Sequence, residues 1–138
     1  MIIAETNVVS EFMRDEPDPA VLSWASSLGP SDLTICVVTV EAIECGIRRL
    51  PTGKRRRQLE QRWRRLVAAF REAILVYDVE AAEATAKVLA STEAAGRPMA
   101  LADAQIAGIC MAGGHQLATR NVRDFESVAD LTVLNPFG

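Results

Sequence analysis

Short apolar runs rich in β-branched residues alternate along this 138-residue chain with amphipathic stretches bounded by recognisable helix signals. That alternation, uninterrupted by repeats, linkers or low-complexity segments, predicts an α/β fold in one domain, residues 1–138. Four to five short strands would form a mostly parallel sheet with helices over both faces.

The elements follow in order. Met1–Ala4 is apolar and reads as a buried first strand. Asn7 is placed to cap a short helix from Val8 toward Met13. Asp18 followed by Pro19 is a strong helix start, an N-cap with proline at the first helical position. Val21, Trp24, Ala25 and Leu28 then give that helix one apolar face, and Gly29-Pro30 stops it. Leu33–Val37 is the second strand, with Thr39 as the expected cap of a helix running to about Leu50. Beyond the Pro51-Thr52-Gly53 turn, Leu59, Trp63, Leu66, Val67 and Phe70 form an apolar stripe on a helix whose other faces are arginine. Ile74–Tyr77 reads as a third strand. Asp78 caps an alanine-rich helix to about Ala95, closed by Gly96-Arg97-Pro98. A further helix from Leu101 to about Met111 ends at Gly113-Gly114, and Gln116–Thr119 and Leu131–Leu134 supply the last two strands.

Composition removes several function classes. Apolar residues make up 49% of the chain, enough for a core, yet no run approaches the ~20 residues that a membrane span requires. The opening Met1-Ile2-Ile3-Ala4-Glu5 lacks the basic region and long apolar stretch of a secretory leader, so a cytoplasmic protein without membrane contact is expected. Cys36, Cys45 and Cys110 are odd in number and lack CxxC spacing, which argues against a disulfide framework and a thiolate zinc site. The single histidine, His115, argues against Ser-His-Asp machinery and reads as a surface residue at a strand start. Carboxylates acting with a hard cation are the chemistry left.

The net charge of −3 hides an asymmetry. Residues 48–71 hold ten of the fifteen basic residues and one of the eighteen acids, Glu60. This helix admits two readings. Its arginines could hold an RNA backbone or a docked partner protein, or they could be the solvated side of an amphipathic helix. With aromatic content at 5% and no exposed aromatic ladder for stacking bases, the second reading is favoured over RNA contact.

In a parallel α/β sheet the ligand site lies outside the carboxyl ends of the strands, near the point where strand order reverses. Three acids fall there: Glu5 closes the first strand, Asp103 sits in the first turn of a helix, and Asp124 follows the fourth strand, with Asn121 between. Carboxylates held close repel one another, and a bound Mg²⁺ or Mn²⁺ relieves that repulsion. Such an ion activates water and stabilises charge on a phosphoryl oxygen, so a carboxylate cluster without histidine points to phosphodiester chemistry. The competing reading is that Asp103 and Asp124 merely favour helix N-termini.

The wording of three segments sharpens this. Met1-Ile2-Ile3-Ala4-Glu5-Thr6-Asn7-Val8-Val9-Ser10-Glu11 resembles the opening of PIN-domain proteins. Ala102-Asp103-Ala104-Gln105-Ile106-Ala107 resembles their central acidic motif, and Leu117-Ala118-Thr119-Arg120-Asn121-Val122-Arg123-Asp124-Phe125 their C-terminal one. The resemblance covers essentially the whole chain and is closest to the VapC/FitB-like toxins of type II toxin–antitoxin pairs. It implies a three-layer α/β/α sandwich and a Mg²⁺-dependent endoribonuclease, with Mn²⁺ as substitute. It also implies an RNA substrate, a cognate antitoxin that fills and blocks the site, and a homodimer or toxin–antitoxin hetero-oligomer. On these positions Glu5, Asp103 and Asp124 would be the metal ligands, with Asp124 also orienting the nucleophile. Asn121 would position the loop or a water, and Thr6 and Asn7 would support the first turn.

Two positions depart from the family pattern. The first acid is glutamate, not aspartate, which moves the carboxylate by ~1.5 Å, about one C–C bond. In Thr39-Val40-Glu41-Ala42-Ile43-Glu44-Cys45-Gly46, the family's glutamate position is Ala42. Glu41 stands one place early, rotated by ~100° on a helix. It is a candidate catalytic acid that could still reach the site if the helix start is frayed or shifted by one residue, or else a solvated helix residue. Glu44 should face elsewhere. The alternative function is therefore a catalytically impaired PIN domain that keeps antitoxin binding. A response-regulator-like phosphoacceptor is disfavoured, because neither lysine, Lys54 or Lys87, falls at a strand end.

Overall fold

The computed structural model describes all residues, 1–138. Four strands, β1 (Ile2–Ala4), β2 (Leu33–Thr34), β3 (Gln116–Ala118) and β4 (Val133–Leu134), form one sheet in the order β2-β1-β3-β4. Every pairing is parallel, with Ile2 opposite both Leu33 and Gln116, and Leu117 opposite Val133. Six helices connect them: α1 (Thr6–Phe12), α2 (Pro19–Ser26), α3 (Val37–Arg48), α4 (Lys54–Phe70), α5 (Val79–Ala94) and α6 (Leu101–Gly113). The chain leaves β1 toward β2 on one side and returns through β3 on the other, so strand order reverses between β1 and β3.

Strand alternation divides the core into two layers. Ile3 and Leu117 point to one face and pack with Ala81, Ala104, Ala107 and Cys110 of α5 and α6. Ala4 and Ala118 point to the other and pack with Val8, Val9, Val21, Ile43, Ile47 and Trp63 of α1–α4. The predicted stripe Leu59, Trp63, Leu66, Val67 and Phe70 lies in that second layer, so it is this face that holds α4 to the body. The result is the expected α/β/α sandwich.

The α5–α6 pair is close-packed because of Gly108. A Cβ there would collide with Thr85 Oγ1 and fall 2.7 Å from the Ala81 carbonyl. Gly114, at φ 67°, ends α6 in the left-handed conformation that glycine tolerates. Asp18 Oδ1 accepts from Ala20 N at 2.9 Å and Asp78 Oδ1 from Ala81 N at 2.9 Å, as those two caps were predicted.

Four local expectations are corrected. Ile74–Tyr77 forms no strand; only a bridge between Leu75 and Cys36 remains, and Val76 is exposed. The second strand stops at Thr34 rather than Val37, because Val37 N turns to the Leu75 carbonyl at 2.9 Å and α3 begins there. Thr39 is consequently inside α3, fully buried, and caps nothing. Asn7 is likewise inside α1; the cap is Glu5, whose carboxylate accepts from Asn7 N at 3.2 Å.

Candidate active site

The site is built at the carboxyl ends of β1 and β3. Glu5 N donates to the Ala118 carbonyl at 2.9 Å and Thr119 N to the Leu134 carbonyl at 2.9 Å, so the ladder continues just past the strands and fixes both residues. Glu5 is 9% exposed, which leaves its carboxylate in a poorly solvated position. Burial is the main force pushing its pKa above the ordinary value; the Asn7 N–H opposes this, and the charge of Asp103 adds to it.

Asp103 lies half-buried in the first turn of α6, behind an Ala100 N-cap that offers no side-chain bond. The helix N-terminus favours a negative charge here. Even so, burial first and the charge of Asp124 second raise the Asp103 pKa. Asp124 is exposed, in the 3₁₀ turn Val122–Phe125 that Asn121 precedes. Glu5, Asp103 and Asp124 thus form a line of like charges, Asp103 acting on Glu5 and Asp124 on Asp103. None of the three has an arginine or lysine partner, although the chain forms seven ion pairs elsewhere.

No three of these side chains close into a ready-made cage of metal ligands. The donor set nevertheless suits Mg²⁺ or Mn²⁺, because hard cations of this kind are commonly held by one or two carboxylates while retaining several waters. Unpaired, desolvated carboxylates without a counter-charge are the chemistry that such a cation relieves. The cysteines offer no alternative: all three are free, and burial pushes the Cys110 thiol up to about 12.

The other sequence-derived candidates separate. Asn121 is exposed and donates its backbone N–H to Thr119 Oγ1 at 3.0 Å, which ties the Asp124 loop to the end of β3. Glu41 is exposed in α3 and joins none of the interactions of Glu5, Asp103 or Asp124. Because α3 starts at Val37, no shift of its beginning turns Glu41 inward. Ala42 instead lines a groove of about 300 Å³ that runs from Thr6 past Ile43 and Ile47 to Arg55 and Leu59. Glu44 faces away, accepting from Trp63 Nε1 at 3.1 Å. His115 is half-buried just before β3, its Nδ1 3.3 Å from the amino terminus.

Sequence reasoning missed two participants. Thr119, fully buried, is bonded to Asn7, Asn121 and Glu5; its place at the end of β3 was the available signal. Glu11 is 4% exposed and accepts from Asp18 N at 2.7 Å, with Arg14 and Arg120 alongside, so it holds the α1–α2 turn. Nothing local in the sequence marks it.

Comparison with known proteins finds relatives along essentially the whole chain. Residues 2–131 match the sequence profile described as PIN domain. The chain is similar to plasmid stability protein StbB of Pseudomonas syringae pv. tomato, at 38% identity over 99% of both chains. It is similar to VapC ribonuclease Y4jK of Sinorhizobium fredii, at 33% identity over 99% of this chain and 98% of the relative. Toxin FitB of Neisseria gonorrhoeae is 31% identical over 99% of both. The crystal structure of FitAcB from that organism contains a chain that superposes with a TM-score of 0.91 over 99% of each.

Proposed function

The chain belongs to the PIN-domain family, and on that premise we propose that it is a metal-dependent endoribonuclease acting as the toxin of a toxin–antitoxin pair. The observation that carries the reading is the line of unpaired carboxylates Glu5, Asp103 and Asp124 at the strand-order reversal, two of them with raised pKa. Relatives described as a VapC ribonuclease and a FitB toxin support the RNA substrate and the toxin role.

Asp103 and Glu5 would hold the cation, with Asp124 completing the set directly or through water. Bound there, Mg²⁺ or Mn²⁺ supplies an acidified water and stabilises charge on the phosphoryl oxygen. Asp124, on the solvent side, would help orient the attacking water. Asn121 keeps that loop on β3. Backbone bonds past the ends of β1 and β3 fix Glu5 and Thr119, so part of the site is positioned by the sheet itself. The partner the reading requires is an antitoxin that fills and blocks the site. The groove beginning at Thr6, next to Glu5 in the chain, offers apolar surface beside it. We place the protein in the cytoplasm, as a homodimer or a hetero-oligomer with the antitoxin; no helix is long and apolar enough to cross a membrane.

A second reading has its own observation. With Glu41 exposed and Ala42 on the groove wall, the family's helix glutamate has no replacement. That favours a weakened enzyme which retains antitoxin binding. One assay separates the readings. Antitoxin-free protein incubated with RNA should cleave it with Mg²⁺ or Mn²⁺ and stop with EDTA. Asp103→Ala should lower the rate at least about 100-fold, beyond the loss usual for an outer-shell residue. No cleavage with either ion would remove the enzyme reading, and recovery in Ala42→Glu with Glu5→Asp would establish the impaired one.

A further inference from the structure

Glutamate is a poor length for the N-cap position, where shorter side chains reach the second or third N–H with less folding back. Here Glu5 does cap α1, and it does so by turning one oxygen, Oε2, toward its own helix. Oε2 accepts from Asn7 N at 3.2 Å, from Asn7 Nδ2, and from the Thr119 hydroxyl at 3.5 Å. Oε1 takes part in none of these bonds. Asn7 spends its entire side chain on this arrangement. Nδ2 also donates to Thr119 Oγ1 at 3.1 Å, and Oδ1 accepts from Arg120 N at 3.0 Å. Only an amide can donate to a carboxylate and a hydroxyl while accepting a backbone N–H.

We propose that Asn7 is a positioning residue that clamps Glu5 Oε2 to the helix and to β3, so that Oε1 alone is offered to a divalent cation. The clamp is what accommodates glutamate at this position. The surplus methylene is absorbed in the fold-back onto Asn7 rather than thrust toward Asp103. Because Asn7 Oδ1 holds Arg120 N, the same side chain also fixes the strand end from which the Asn121–Asp124 loop departs. Residues that orient ligands in this way typically change metal affinity by about 10–100-fold when removed. The inference rests on the reading of the site given above, and its test separates the two.

The test is a double-mutant cycle on Mn²⁺ affinity, measured by electron paramagnetic resonance of free Mn²⁺ in the full-length protein. Asn7→Ala should weaken binding by roughly 10–100-fold in the wild-type background. In Glu5→Gln, where binding is weaker but persists through Asp103 and Asp124, the same change should add little. Equal losses in both backgrounds, or no loss in either, overturn the clamp. A wild-type protein that binds no Mn²⁺ overturns the functional reading instead, and the clamp is then judged without metal. The Asn7 side-chain amide resonances should shift in Glu5→Gln and stay in place in Asp124→Asn; unchanged resonances in Glu5→Gln overturn it. Should Asn7→Ala fail to fold, Thr119→Val removes the opposite partner of the amide and should weaken Mn²⁺ binding, with Thr119→Ser restoring it. Unchanged affinity in Thr119→Val would then count against the proposal.

Discussion

The carboxyl end of the sheet and the basic helix α4 treat acids in opposite ways. Asp15, on the surface, has one oxygen shared by Arg62 at 2.7 Å and Arg55 at 3.3 Å, and the Arg62 hydrogen bond with the Arg55 charge holds its pKa below the usual range. Glu5 and Asp103 have no cation and are pushed the other way, first by burial and then by a neighbouring acid, Asp103 beside Glu5 and Asp124 beside Asp103. Acids of one chemical type thus lie under opposite electrostatic loads, and only the unneutralised group calls for something from outside the chain. Helix α4 shows the converse. Arg55 and Arg62 serve Asp15, Arg56 serves Glu60, and what fastens the helix is its apolar stripe.

The largest effect should break the two regions apart by activity. Asp103→Asn should abolish RNA cleavage in a gel assay, while Asp15→Asn should leave it unchanged. In stability the order reverses. Trp63→Ala should cost about 3–5 kcal/mol in denaturant unfolding, because it empties a buried aromatic position and strands its bond to Glu44. A loss that small charge changes on α4 could match would contradict the view that the stripe holds the helix.

Asp103→Asn should raise Tm by roughly 2–5 °C at neutral pH, since site residues commonly trade stability for function. The sign of its pH dependence follows from the raised pKa. The folded state holds the Asp103 proton more tightly than the unfolded one, so the penalty is absent below the ordinary carboxylate pKa and sets in as pH rises through the folded value. The advantage of Asp103→Asn should therefore vanish on acidification. Asp15, with its lowered pKa, contributes stability above the ordinary value that is lost as pH falls through the folded one. For so exposed an ion pair, Asp15→Asn should shift Tm barely at all and less still in high salt.

The same contrast shows what a single sequence carries. Caps set by local chemistry, Asp18 before Pro19 and Asp78 before the alanine-rich helix, were legible, as were the α4 stripe and the glycine end of α6. Ile74–Tyr77 was not, because a short apolar run fits a strand as well as a docked loop, and here only Leu75 pairs. Thr39 has the chemistry of a cap, but the Val37–Leu75 bond starts the helix earlier. Of the site, the positions of Glu5, Asp103 and Asp124 at the strand ends were readable from topology. Their mutual repulsion, and the Asn7–Thr119 contact across 112 residues, come only with the folded chain.

The most direct measurement is an anomalous difference map from a crystal of the full-length protein soaked in Mn²⁺. The account predicts a peak within coordination distance of Glu5 Oε1 and an Asp103 oxygen, with Asp124 reached directly or through water. A map with no peak at the ends of β1 and β3, or with Mn²⁺ bound only at surface acids elsewhere, would contradict it.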